Sequence, residues 1–236
     1  MTCRLYQHST LGALMAGCFE GTMTIEDLLK QGDTGIGTVH GLDGELIVLK
    51  GRAYQVGVNG AVQQLDGKER TPYAAVTFFE TENTVEITEE TSMERLTKRL
   101  QDRFSSLNTF QTVRISGTFA KVQCRSVAKQ EPPYPKLVEV TQSQTEFTRG
   151  PVEGTLIGFY APELFSGMAA PGFHWHFLSR GVDFGGHVLD FILEDGTAEW
   201  QTIETVEQHF PVENDAFLHA EIESEYLNEK IEEAEN

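Results

Sequence analysis

The chain has 236 residues, 39% of them hydrophobic, enough for a substantial core, and its 36 acidic against 18 basic residues give a formal net charge of -18. That field argues against a protein that reads nucleic-acid backbones or binds anionic membranes, both negative themselves, but it leaves room for a small anion held by a local cation. Three scattered cysteines, Cys3, Cys18 and Cys124, exclude a thiol-rich metal site or disulfide framework, and no apolar run of about 18 residues occurs, so the chain reads as soluble, unsecreted and cytoplasmic.

The first helical signal covers residues 22–30: Thr24 can cap, Glu26 and Asp27 suit the first turn, Leu28 and Leu29 give an apolar contact, and Gly32 ends it. Short strands follow at 36–39, 45–49 and 53–58, with Asn59-Gly60 predicting a hairpin turn into 61–65. Further strand signals lie at 74–79 and 85–88. Thr91 with Glu94 predicts a capping box, after which Met93, Leu96, Leu100 and Phe104 form one buried helical stripe. Residues 110–127 read as a long strand whose apolar positions change parity near Phe119-Ala120, predicting a bulge or bend there. The face opposite Val122 and Cys124 then carries Arg125, directed to a polar cavity or to solvent.

Pro132, Pro133 and Pro135 cannot support an internal ladder and predict a connection. The expected organisation is an N-terminal mixed-sheet portion over 1–130, and a C-terminal sheet portion over 131–236 with strands near 137–141, 153–160, 173–179 and 186–193. Too few amphipathic helices are present for parallel crossovers. The expected class is therefore α+β, with two mixed β-sheets and a few flanking helices.

The densest chemical signal is Pro171-Gly172-Phe173-His174-Trp175-His176-Phe177. Strand alternation places His174 and His176 on one face and the three aromatic side chains on the other. Eleven residues beyond His176 stands His187, after Gly185-Gly186. A hairpin centred near Gly181-Val182 makes His176 and His187 opposite neighbours, with His174 one diagonal step away. Three imidazoles so arranged can hold a divalent metal and leave a position open for water or substrate. His8, His40, His209 and His219 show no comparable grouping. Among many carboxylates, Glu45 opens a strand beside a turn, from which it can enter a site without being buried alone.

In their order along nearly the whole chain, several separated motifs resemble the alpha-acetolactate decarboxylases. They are Gly35-Ile36-Gly37-Thr38, Leu42-Asp43-Gly44-Glu45, Thr71-Pro72-Tyr73-Ala74, Gly117-Thr118-Phe119, Arg125, Pro133-Tyr134-Pro135, Gly154-Thr155-Leu156-Ile157-Gly158-Phe159-Tyr160 and the histidine region through Gly185-Gly186-His187-Val188-Leu189. The resemblance implies a two-sheet α+β fold, a homodimer, Zn2+ on His174, His176 and His187, and conversion of 2-acetolactate into (R)-acetoin and CO2. It implies active-site roles for Glu45 and Arg125, and for a glutamate near the C-terminus that matches Glu233 or Glu235, with Ala234-Glu235-Asn236 favouring Glu235.

Such chemistry needs no organic cofactor. Loss of CO2 beside a ketone leaves an enediolate, whose charge a metal chelated by the ketone and hydroxyl oxygens stabilises. The Arg125 donor fork suits a carboxylate or an oxyanion, and Glu45 or the C-terminal glutamate suits proton delivery. Two other classes fit the same residues: a metal-dependent hydrolase and a non-enzymatic ligand-binding module.

Overall fold

Two seven-stranded sheets and a two-stranded ribbon carry the chain in a computed structural model that describes residues 3–222 together with Ile231 and Ala234. Across the first sheet the strands lie in the order Thr205–His209, Arg4–His8, Ala74–Thr77, Thr34–Thr38, Glu45–Leu49, Arg52–Val56 and Val62–Gln64. Its neighbours are antiparallel except for Thr205–His209, which runs parallel to Arg4–His8, so this sheet is mixed.

The second sheet is built around Gln111–Ser126 and Gly185–Thr202, and its pairings are antiparallel. Gln111–Ser126 pairs with Val152–Ala161, which pairs with Gly172–Ser179, which pairs with Gly185–Thr202, which returns to Gln111–Ser126. The sheet therefore closes on itself as a small barrel. Its interior holds Phe119, Phe177, Phe191 and Trp175, with Phe119 edge-on to Phe177 at 5.2 Å. Each such aromatic ring contributes roughly 1.5–3 kcal/mol on burial, so a one-residue slip of Gly172–Ser179, which would turn two of them, Trp175 and Phe177, outward, is strongly opposed. A second apolar layer, with Ile36, Ile47 and Val56 against Ile157, Phe159 and Leu178, packs the two sheets together.

The helices are short and lie at the flanks. Ile25–Leu29 is capped by the Thr24 side chain, as its sequence predicts. Met93–Gln101 buries Leu96 and Leu100, but its cap is Ser92 and not Thr91: the Ser92 side chain accepts from the Arg95 N–H, and Thr91 lies one residue further back in a short strand, opposite Leu193. Residues 137–141 are a helix, Leu137–Thr141, where a strand was expected. The β-branched Val138, Val140 and Thr141 suggest a strand, but burial of Leu137 and Val140 follows helical spacing. The bulge expected near Phe119-Ala120 is present, with register shifts on both sides of Phe119, and a further shift occurs between Gln123 and Cys124. No helix among the described residues is long and apolar enough to cross a membrane.

Candidate metal centre

The hairpin register places His176 directly opposite His187, and Arg125 pairs with His187 from the other side. Two glycines allow these strands to approach. Gly158 lies under the Trp175 ring, where a Cβ would stand 2.3 Å from a ring carbon, and Gly186, at φ +147°, would place a Cβ 2.9 Å from the Arg125 carbonyl oxygen. The inward aromatic face thus anchors the strand whose outward face carries His174 and His176.

The imidazole centroids of His174 and His187 lie 4.8 Å apart, those of His174 and His176 5.2 Å, and those of His176 and His187 5.6 Å. One nitrogen from each falls within 4.8 Å of the others, so the three can share one ion. His176 Nδ1 lies 3.0 Å from the Leu46 carbonyl oxygen, which can only accept; the ring therefore donates from Nδ1 and keeps its lone pair on Nε2. That Nε2 is buried without a hydrogen-bond partner among the described residues, and Glu45 Oε2 is 3.4 Å away. An orphaned lone pair beside two further imidazoles fits a metal ligand. Burial, then the nearby Arg125 charge, lowers the pKa of His174 to about 3. Burial, followed by His174, holds His176 well below its ordinary value against the opposing Leu46 hydrogen bond. Both rings are neutral at neutral pH, the state in which imidazole binds metal.

Arg125, buried on the long strand, donates from Nη1 to Gln144 Oε1 at 3.0 Å and from Nη2 to the Ala234 carbonyl oxygen, with His187 Nε2 3.2 Å from Nη2. Glu45 reaches the same cavity from the first residue of its strand in the other sheet. This cavity, about 50 Å³, has Arg125, Glu45, Thr38 and the histidines as its polar side, and Leu11, Leu14, Leu42, Val127 and Leu137 as its apolar side. The structure therefore brings Glu45, Arg125, His174, His176 and His187 together. Glu233 and Glu235 lie outside the described residues.

The Gln144 and Leu46 contacts were not expected from sequence. A backbone carbonyl has no sequence signature, and Gln144 arrives through the misread 137–141 segment. His8 and His209, expected to be ungrouped, meet with their Nδ1 atoms 2.9 Å apart because their strands pair in parallel register.

The family model described as alpha-acetolactate decarboxylase matches residues 5–224. An alpha-acetolactate decarboxylase of Lactococcus lactis subsp. cremoris is 43% identical over 232 residues, covering 98% of each chain. Among solved structures, a Staphylococcus aureus protein of unknown function, similar to alpha-acetolactate decarboxylase, matches with TM-score 0.95 and 42% identity over 98% of this chain and 99% of that one. The Bacillus subtilis strain 168 alpha-acetolactate decarboxylase matches with TM-score 0.96 and 34% identity over 99% of each.

Proposed function

The chain belongs to the alpha-acetolactate decarboxylase family, and from that premise we propose that it converts 2-acetolactate into (R)-acetoin and CO2 using one zinc ion held by His174, His176 and His187. The observation that carries the metal reading is the His176 Nε2 lone pair, fixed by Leu46 and buried among three imidazoles. When bound there, zinc supplies a Lewis acid for the negative charge that develops on the substrate oxygens.

The protein's own groups divide the remaining work. Arg125, fixed by Gln144 and Ala234, presents a charged, planar donor to the substrate carboxylate and so orients the bond that breaks. As CO2 leaves, the bonding pair stays on the carbon next to the ketone and takes up a proton. Glu45 borders the same cavity and is the group assigned to deliver it. Glu233 or Glu235 is proposed as a second carboxylate at the site, in keeping with the Arg125 contact to Ala234 between them. The apolar wall of Leu11, Leu14 and Leu42 limits the entry of bulk water. A homodimer acting in the cytoplasm completes this reading.

Purified protein supplied with 2-acetolactate should release CO2 and acetoin in equal amounts, lose this turnover on chelation and regain it with zinc. The His176→Ala variant should lose most of its metal by elemental analysis. Undiminished turnover after complete metal removal, or hydrolysis of an ester without CO2 release, would overturn the proposal.

A further inference from the structure

The helix Leu137–Thr141 stands where the sequence suggested a strand, and it brings two residues to the metal pocket. Leu137 and Thr141, four residues apart and therefore on one helix face, both line that cavity. Leu137 is 5% exposed and packs in one apolar cluster with Leu11, Leu14, Leu42 and Val127, which line the same cavity. The chain keeps turning past Thr141: the Ser143 N–H donates to the Val140 carbonyl oxygen at 3.0 Å, and the Gln144 N–H to that of Thr141 at 3.2 Å. This turn delivers Gln144, whose Oε1 accepts from Arg125 Nη1 at 3.0 Å. Residues 137–144 therefore carry both an apolar wall of the pocket and an anchor of its guanidinium.

In the substrate, whose identity rests on the function proposed above, the carbon that loses CO2 bears a carboxylate, a hydroxyl, the ketone carbon and an alkyl group. Arg125 suits the carboxylate, and the polar side with Glu45 and the histidines suits the two oxygens. The alkyl group is left to the apolar side. Its first carbon is only two bonds from the carboxylate carbon, so it lies close to Arg125, and the helix tied to Arg125 through Gln144 is the wall whose distance from that point is fixed. The Leu11–Met15 helix, which supplies Leu11 and Leu14, is held instead by the Met168 and Gly167 carbonyl oxygens through its first two N–H groups. With about 50 Å³ of free space, against the roughly 300–1,000 Å³ of sites for drug-sized ligands, the pocket leaves little slack for a longer chain.

We propose that Leu137, with Thr141 one turn on, sets the upper size of the alkyl group on the reacting carbon. A methyl group fits beneath this wall; each further methylene must displace the wall or draw the carboxylate off Arg125. Selection by size and orientation of the bond that breaks are thereby joined in one segment, because a substrate too large for Leu137 is also misaligned on the guanidinium that Gln144 holds. A misfit methylene in an apolar pocket changes kcat/KM by about 10–200-fold, so one wall residue is enough to set the limit.

The zinc-loaded protein is assayed with 2-hydroxy-3-oxobutanoates carrying a methyl or a propyl group at C2. The intact chain should favour the methyl compound by about 100-fold in kcat/KM. Leu137→Ala should narrow that ratio about tenfold, and Thr141→Ser, which removes one methyl group from a half-buried position, about threefold even if Leu137→Ala does not fold. Leu11→Ala, on the wall that Gln144 does not tie to Arg125, should leave the ratio in place. Calorimetry with the ketone-reduced analogues, 2,3-dihydroxy-2-methylbutanoate and 2,3-dihydroxy-2-propylbutanoate, which have no carbonyl to take up the electron pair, should show the same preference and the same narrowing without turnover. An unchanged ratio in every folded variant of Leu137 and Thr141, equal affinity of the intact chain for the two analogues, or an equally large narrowing in Leu11→Ala overturns the size limit. Turnover separates the two readings: CO2 release with unaltered ratios defeats the size limit alone, and selective analogue binding without CO2 release from either compound defeats the proposed reaction alone.

Discussion

The lone pair that His176 turns toward the pocket is set by a backbone atom from the other sheet, because the Leu46 carbonyl oxygen can only accept and so holds the ring proton on Nδ1. Strand alternation and the 176/187 spacing made the histidine triad legible in the sequence, but not this contact, which depends on how two sheets pack. Arg125 shows the same division. Its face was predictable from the apolar positions at Val122 and Cys124, whereas its anchors, Gln144 and Ala234, come from segments remote along the chain. Those anchors use different nitrogens of one rigid fork. Lysine offers a single ammonium and cannot reproduce both contacts while facing substrate. We expect Arg125→Lys to retain bound metal by elemental analysis but to lose about 100-fold in kcat, the scale found when a preorganised donor is removed from a reacting centre. A near-normal kcat and kcat/KM would place Arg125 outside the chemistry.

Bends and chain ends, more than the regular strands, determine what reaches the pocket. The parity change near Phe119 revealed one bend of the long strand, but the further shift, between Gln123 and Cys124, lies too close to that bend to leave a pattern of its own. The acid-rich C-terminal stretch reads as a solvated end, yet Ile231 and Ala234 are each 1% exposed and pack with Leu11, Leu14, Leu137 and Val140. Its sparse apolar residues, three apart, are the part of the pattern that matters. Deleting residues 232–236 removes the Ala234 contact to Arg125 together with Glu233 and Glu235 and, among the described residues, one small buried side chain, worth about 1 kcal/mol. The truncated chain should therefore unfold cooperatively near the intact chain's denaturant midpoint while acetoin production falls sharply. Assayed separately, Glu233→Gln and Glu235→Gln should show one dominant loss. Full turnover and unchanged (R)-selectivity in the truncated chain would remove the tail from the site.

At the scale of the whole molecule, the first sheet is completed by the parallel pairing of Arg4–His8 with Thr205–His209, so segments some 200 residues apart in sequence meet at one edge. No local signal announces that pairing, since each strand is short and the contact is made by chain topology. It carries a titratable group into the interior: His8 is fully buried, with Nδ1 against His209 and Nε2 2.7 Å from Thr22 Oγ1. Burial, and then the proximity of His209, lowers its pKa from 6.5 to about 4. Between those two values the unfolded chain binds the proton and the folded chain does not. His8 therefore costs the fold nothing above pH 6.5, penalises it increasingly as the pH falls, and reaches a full penalty of about 3 kcal/mol near pH 4. His174 and His176 are depressed in the same direction, so the wild-type slope alone does not isolate His8. The informative quantity is the difference between wild type and His8→Gln, which keeps a polar side chain beside Thr22 but cannot titrate. Urea unfolding from pH 7 to pH 4 should show the wild type losing about 3 kcal/mol more than the variant, with the two curves converging or crossing toward acid pH. Parallel pH profiles for the two proteins would mean that His8 takes up its proton as readily in the folded chain as in the unfolded one, and that the parallel edge is not what makes this fold sensitive to acid.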